Sequence, residues 1–264
     1  MLFAPVFNVA VCGLRRRLSL VIGGLLLPLA GPAAIVPQPP DVDAVLQRLD
    51  DLYRSRSSIA RIEIVVTGAR TTRTMRLKAW TRGEDEVLVI IEAPAREEGT
   101  ATLRVGQNLW NYLPRIARTI RVPPSMMLGS WMGTDFTNDD LVKESSLHKD
   151  FSARVDRRSD TPPGWWIALD VKPSIVGRWS RIEILLSDVD LPVEERHFDR
   201  KGRLARTMMF DEVKVLGGRR VPSHIVLTPA DAEGQKTEMR YLDVQFDVPI
   251  ADDMFSLSRL ERQP

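Results

Sequence analysis

The chain has 264 residues, 44% hydrophobic and 27% charged, enough to bury a substantial core as one domain or two small ones. Its formal charge of +2 traces to Arg15, Arg16 and Arg17; beyond residue 34, 34 lysines and arginines face 35 acidic residues, a net −1. A nucleic-acid binder keeps a basic excess on its folded part, so the composition argues against nucleic acid as a partner.

The three arginines precede an uncharged apolar run, residues 18–34, that ends in small residues, the pattern of a signal peptide. Cleavage after Ala33 would put Gly31 and Ala33 at the two small-residue positions. The run is short for a bilayer span and holds Pro28 and Pro32. Cys12, the only cysteine, lies inside this leader, so the mature chain has no thiol for a disulfide, a zinc site or a nucleophile, and no lipidation site after the apolar run. The expectation is residues 1–34 as signal peptide, residues 35–264 as one mature domain, and export to the periplasm.

After a stiff exit at Pro37, Pro39 and Pro40, apolar residues at 42, 45, 46, 49, 52 and 53 recur at spacings of three and four. That predicts an amphipathic helix over 41–54 capped by Asp41. The period then changes to two. Residues 61–67 place Ile62, Ile64 and Val66 opposite Arg61, Glu63 and Thr67, and 74–80 alternate likewise. Short strands are expected at 86–92, 100–105, 109–113 and 118–122, then at 151–157, 165–171, 181–187, 194–198, 203–210, 224–227 and 236–246. About a dozen short antiparallel strands imply one large curved sheet or barrel rather than βαβ units. The one break, residues 125–144, is rich in Met and Trp and ends in NDDLVKE, where Asn138 is the expected cap of a short helix.

No catalytic constellation emerges. His148, His197 and His224 are dispersed, with no second histidine or cysteine at ligand spacing. GSWMG at 129–133 puts its serine one place early for a nucleophile elbow. Asp135, Asp139 and Asp140 do not match the alternate spacing of a calcium loop. Glu97–Glu98 and Glu194–Glu195 are adjacent on strands and point to opposite faces. Phosphate-loop and dinucleotide fingerprints are lacking, so no cofactor and no enzymatic activity are expected.

The apolar residues around the break carry the functional signal. Trp110, Tyr112, Met126, Met127, Leu128, Trp131, Met132 and Phe136 fall close together, and methionine lines adaptable binding surfaces as well as filling cores. Two roles are open to them: a binding surface or its lid, or a plug that closes one face of the sheet.

Residues 109–141 (LWNYLPRIARTIRVPPSMMLGSWMGTDFTNDDL) resemble a characteristic segment of the bacterial outer-membrane lipoprotein-sorting proteins, the LolA/LolB-like superfamily. The resemblance lies in Trp110, Tyr112 and Pro114 at a strand end, the basic strand from Arg118 to Arg121, the turn Gly133 to Phe136, and the helix start at Asp139, Asp140 and Leu141. The closing segment 250–262 (IADDMFSLSRLER) is also similar. The resemblance implies a mainly β (α+β) fold. It would be an open half-barrel of about 11 antiparallel strands, its concave face covered by an N-terminal helix and short inserted helices over an apolar cavity. It further implies a monomeric periplasmic carrier of lipoprotein or lipid acyl chains, working between an inner-membrane transporter of ABC or RND type and an outer-membrane acceptor. The alternative from another class is a non-enzymatic adaptor or sensor module that partners such a transporter. The missing lipidation cysteine disfavours the membrane-anchored acceptor type.

Overall fold

Among the described residues, thirteen strands, two more than the expected half-barrel, join in one open antiparallel sheet. The structure is a computed structural model that describes residues 38–53, 55–143, 147–175 and 177–262. The expected leader lies outside the described residues.

Helix α1 (Val42–Asp51) begins where the Asp41 carboxylate accepts hydrogen bonds from the backbone N–H groups of Asp43 and Ala44, at 3.1 and 3.3 Å. The first meander is β1 (Ser57–Thr67), β2 (Thr72–Arg82), β3 (Glu86–Ala93), β4 (Ala101–Val105), β5 (Asn108–Leu113) and β6 (Arg118–Arg121). The second comprises β7 (Phe151–Asp160), β8 (Pro163–Val171), β9 (Trp179–Ser187), β10 (Pro192–Asp199), β11 (Leu204–Leu216), β12 (Arg219–Pro229) and β13 (Lys236–Phe246). The meanders join where β1 pairs with β13, so the strand order runs β6-β5-β4-β3-β2-β1-β13-β12-β11-β10-β9-β8-β7.

This order fixes the place of the interruption. Strands β6 and β7 are consecutive in sequence but stand at opposite edges of the sheet. The connecting residues must cross a face of the sheet, and they cross the inner one. They carry α2 (Asn138–Lys143) and α3 (Leu147–Asp150). Asn138 is not the cap of α2. Thr137 caps it: its hydroxyl accepts from the Asp140 backbone N–H at 3.2 Å while the Asp140 carboxylate accepts from the Thr137 N–H at 2.7 Å, a reciprocal capping box. Asn138 instead donates its side-chain N–H to the Met126 carbonyl at 3.1 Å.

Both faces of the sheet bury apolar residues. On the inner face, Val45 and Leu46 of α1 pack on Ile167, Leu169, Ile182, Ile184 and Leu186, and Trp131 and Phe136 cover β1–β3 and β11–β13. On the outer face, Leu88, Ala101 and Leu103 are covered by Phe255 and by Leu260 of the last helix, α4 (Leu257–Glu261). Among the described residues, no helix is long and apolar enough to cross a membrane.

Gly164 on β8 marks a close approach of backbones: a Cβ built there would sit 2.0 Å from the Leu186 carbonyl oxygen. Gly164→Ala is expected to lower the urea unfolding free energy by about 1–3 kcal/mol. Gly68→Ala, whose Cβ would meet nothing closer than 3.7 Å, should leave the midpoint near that of the wild type.

Candidate functional site

Between the sheet and the segment that crosses it lies a cavity of about 250 Å³. That is larger than the ~150 Å³ that admits benzene in an apolar core. It approaches the ~300 Å³ at which pockets for drug-sized ligands begin. Its floor takes every second residue of central strands: Ala60, Ile62 and Ile64 of β1, Leu77 and Ala79 of β2, Met208 and Phe210 of β11. Ala60 and Ala79 are cross-strand partners, and their short side chains leave depth at the middle of the floor. The roof is Leu49 and Tyr53 at the end of α1, Trp131, Phe136 and Leu141 of the crossing segment, and Leu147 of α3. Tyr53 is fixed by stacking on Tyr241 of β13, ring centroids 4.7 Å apart, and by donating its hydroxyl to the Pro222 carbonyl at 2.7 Å.

The crossing segment is fastened residue by residue. Met132 and Gly133 turn the chain through positive φ values of 47° and 70°, a conformation that suits glycine at the second position. Arg73 of β2 donates to the Met132 carbonyl from below. The Trp131 indole N–H donates to Thr102 of β4 at 3.0 Å, which seats its ring over the floor. Asp135 accepts from the Thr237 hydroxyl at 2.7 Å and from Gln235 at 2.8 Å, both near the start of β13. Arg104 of β4, 2% exposed, donates to the Leu141 carbonyl at 3.3 Å. The strongest fastening is ionic. Both Nη atoms of Arg206 on β11 donate to the Asp140 carboxylate, at 2.7 and 2.9 Å, with both side chains buried. Burial would raise the Asp140 pKa, but the Arg206 charge and hydrogen bonds override it and hold the carboxyl below its ordinary range.

A buried polar cluster sits at one end of this mostly apolar space. His197 of β10 is Arg206's register partner and lies 3.0 Å from the Glu195 carboxylate through Nε2. Burial, reinforced by the neighbouring Arg206 charge, holds its imidazole neutral by lowering its pKa. Trp179 covers both: the Arg206 guanidinium carbon is 4.5 Å from its ring centroid, and the His197 ring meets it edge-on at 5.0 Å. At the α1 rim, Asp50 hydrogen-bonds His148 of α3 at 2.7 Å, and burial raises the Asp50 pKa.

The eight residues singled out in the sequence part company in the structure. Trp131 and Phe136 line the cavity. Met132 packs beside Trp131 against the β1–β3 core. Trp110 and Tyr112 lie on the outer face, packed with the residues that Phe255 and Leu260 cover. Their neighbour Leu109, buried and out of phase with them, faces the other way. Met126 and Leu128 are exposed at 59% and 54% on the approach to the crossing segment, and Met127 is partly buried there. Sequence reasoning missed Asp50, Tyr53, Glu195, His197, Arg206 and Tyr241. One signal was readable: Arg206 shares a strand face with Met208 and Phe210, a cation inside an apolar alternation. The three histidines each meet a carboxylate from another residue; His224 bonds Asp211 at 2.7 Å and Glu238 at 3.3 Å. Neighbouring Glu212 is lowered to about 2 by hydrogen bonds from Arg240 and Lys214, so the acids around His224 are already engaged.

Arg206→Met would leave Asp140 buried without its counter-charge, and urea unfolding at pH ~7 should show a loss of about 3–5 kcal/mol. The pH dependence should then invert. In the wild type, the carboxyl's folded pKa is depressed, so its contribution is present above the ordinary carboxylate range and fades only on acidification below it. In the variant, the lone buried carboxyl titrates above that range, so the deficit should shrink as the pH is lowered from neutral to about 5.

The comparisons with known proteins agree with this geometry. A family model described as "-like: Uncharacterized protein" matches residues 83–262. A search of the curated proteins finds no match. Among solved structures, a DUF1329 family protein from Desulfovibrio piger aligns at a TM-score of 0.74 and 20% identity, covering 82% of this chain and 96% of that one. A LolA superfamily protein from Nitrosomonas europaea aligns at 0.69 and 18%, covering 84% and 100%. A domain assigned to the outer-membrane lipoprotein-sorting proteins, from Vibrio parahaemolyticus, aligns at 0.68 and 24%, covering 82% and 97%. The chain belongs to the family that this model describes, and its open thirteen-stranded half-barrel is the LolA-like fold.

Proposed function

We propose that the chain is a non-enzymatic periplasmic carrier that takes acyl chains of a lipoprotein or lipid into the cavity and passes them toward the outer membrane. The observation that carries this reading is the cavity itself, whose floor and roof are mostly aliphatic and aromatic. Each methylene group withdrawn from water contributes about 0.8 kcal/mol, so an acyl chain crosses an aqueous compartment only under cover. A carrier must also release its cargo, which calls for a cavity that is apolar but not tailored to one rigid shape.

In this reading residues 1–34 are removed on export and residues 35–264 act as one soluble domain. Trp131 and Phe136 are direct acyl contacts, joined by Tyr53, Met208, Phe210 and Met239 from the sheet and α1. Met126, Met127 and Leu128 border the roof, while Trp110 and Tyr112 support it indirectly by fixing β5 against the C-terminal segment. A membrane transporter on the donor side and an outer-membrane acceptor are the partners such a role requires.

The test fills the cavity rather than breaking it. Ala79→Phe projects a ring from the middle of the floor. It should reduce the affinity for a fluorescent acyl probe at least about tenfold while the unfolding midpoint stays within the range of ordinary core swaps. Unchanged probe binding by the folded variant would show that acyl chains do not enter here.

A further inference from the structure

The polar end of the cavity holds two groups that a pure hydrocarbon would leave unanswered. His197 and Arg206 are 5% and 6% exposed, and each keeps one buried nitrogen without a partner among the described residues: Nδ1 of His197 and Nε of Arg206. The other polar atoms of both side chains are committed. A carboxylate can only accept, so His197 carries its proton on Nε2 and donates to Glu195, which leaves Nδ1 a bare acceptor. The Arg206 Nη atoms are taken by Asp140, which leaves the Nε–H as a free donor. One acceptor and one donor thus sit on register partners of adjacent strands, in residues that line the cavity. Trp179, packed on both side chains, shields them from bulk water.

The charges nearby restrict what could satisfy the pair. Arg206 and Asp140 cancel, the imidazole is neutral, and Glu195 adds a negative charge beside it. An incoming carboxylate would sit against the Glu195 charge, directly beside His197, and offer no proton to Nδ1. A simple ester supplies an acceptor but no donor. An amide or a free hydroxyl supplies both.

We propose that this corner binds the neutral polar linkage of an acyl lipid, an amide or a hydroxyl, which accepts from Arg206 Nε–H and donates to His197 Nδ1. The cavity then selects amide-linked or hydroxylated acyl lipids over free fatty acids and simple esters, and Trp179 is the side chain that yields to admit them. This rests on the acyl-carrier reading above and names its class of cargo.

The experiment is competitive native mass spectrometry of the mature protein with four ligands of one chain length: an N-acyl ethanolamine, a monoacylglycerol, a fatty acid and its methyl ester. The amide and the monoacylglycerol should each outcompete the fatty acid and the methyl ester by about tenfold or more, the discrimination expected when a buried donor and acceptor are otherwise left unpaired. His197→Phe should retain binding of the methyl ester and bring the amide and the monoacylglycerol close to it, while the fatty acid stays disfavoured by Glu195. Equal occupancy in the wild type, a preference for the fatty acid, or an unchanged preference in His197→Phe would overturn the assignment while leaving the acyl cavity standing. If none of the four ligands binds the wild type, the carrier reading itself fails, and this assignment with it.

Discussion

Strands β6 and β7 follow one another in the chain yet lie at opposite edges of a thirteen-stranded sheet, and this constraint organises the molecule. Because β1 pairs with β13, the two meanders grow outward from the middle and strand their inner ends far apart. The connection between them has to traverse a face of the sheet. A curved sheet with a segment drawn across its inner face leaves space beneath wherever the floor residues are small, and Ala60 and Ala79 supply that space. The cavity is therefore a consequence of strand order, with side-chain size deciding how much of it remains.

A segment that spans an apolar floor needs directional anchors, since hydrophobic contact alone would let it slide. The anchors are polar and are spread across both wings: Arg73 and Thr102 on the first meander, Thr237 and Arg206 on the second. Burying Asp140 with Arg206 gives little net stability against an apolar alternative, but it fixes one register of the segment. The capping box between Thr137 and Asp140 uses the same carboxylate to start α2, so helix initiation and docking to β11 depend on one residue.

Much of this architecture was legible in the sequence, because strand alternation and helix periodicity are local signals. All thirteen strands coincide with segments expected as strands, two of them, 61–67 and 74–80, from clean alternation, and Asp41 caps α1 as its chemistry demands. The cavity residues were less legible for two physical reasons. Alternation says that Leu109 and Trp110 face opposite ways without saying which face is inner, and the C-terminal segment that covers Trp110 and Tyr112 is distant in sequence. The pairing of His197 with Arg206, and of Arg206 with Asp140, depends on strand register and on the crossing of the inner face, neither of which any local pattern encodes. Likewise Asn138 and Thr137 are both good caps; the acidic residue three places after Thr137 decides between them.

We propose that the space under the crossing segment is a lipid site. The most direct measurement is native mass spectrometry of the mature protein purified from a Gram-negative periplasm, followed by solvent extraction of whatever travels with it. Discrete adducts that extract as acyl lipids, and that are lost when the floor is filled, are the predicted result. A single unliganded mass that persists after incubation with acyl lipids and acylated peptides would show that this space does not hold lipid.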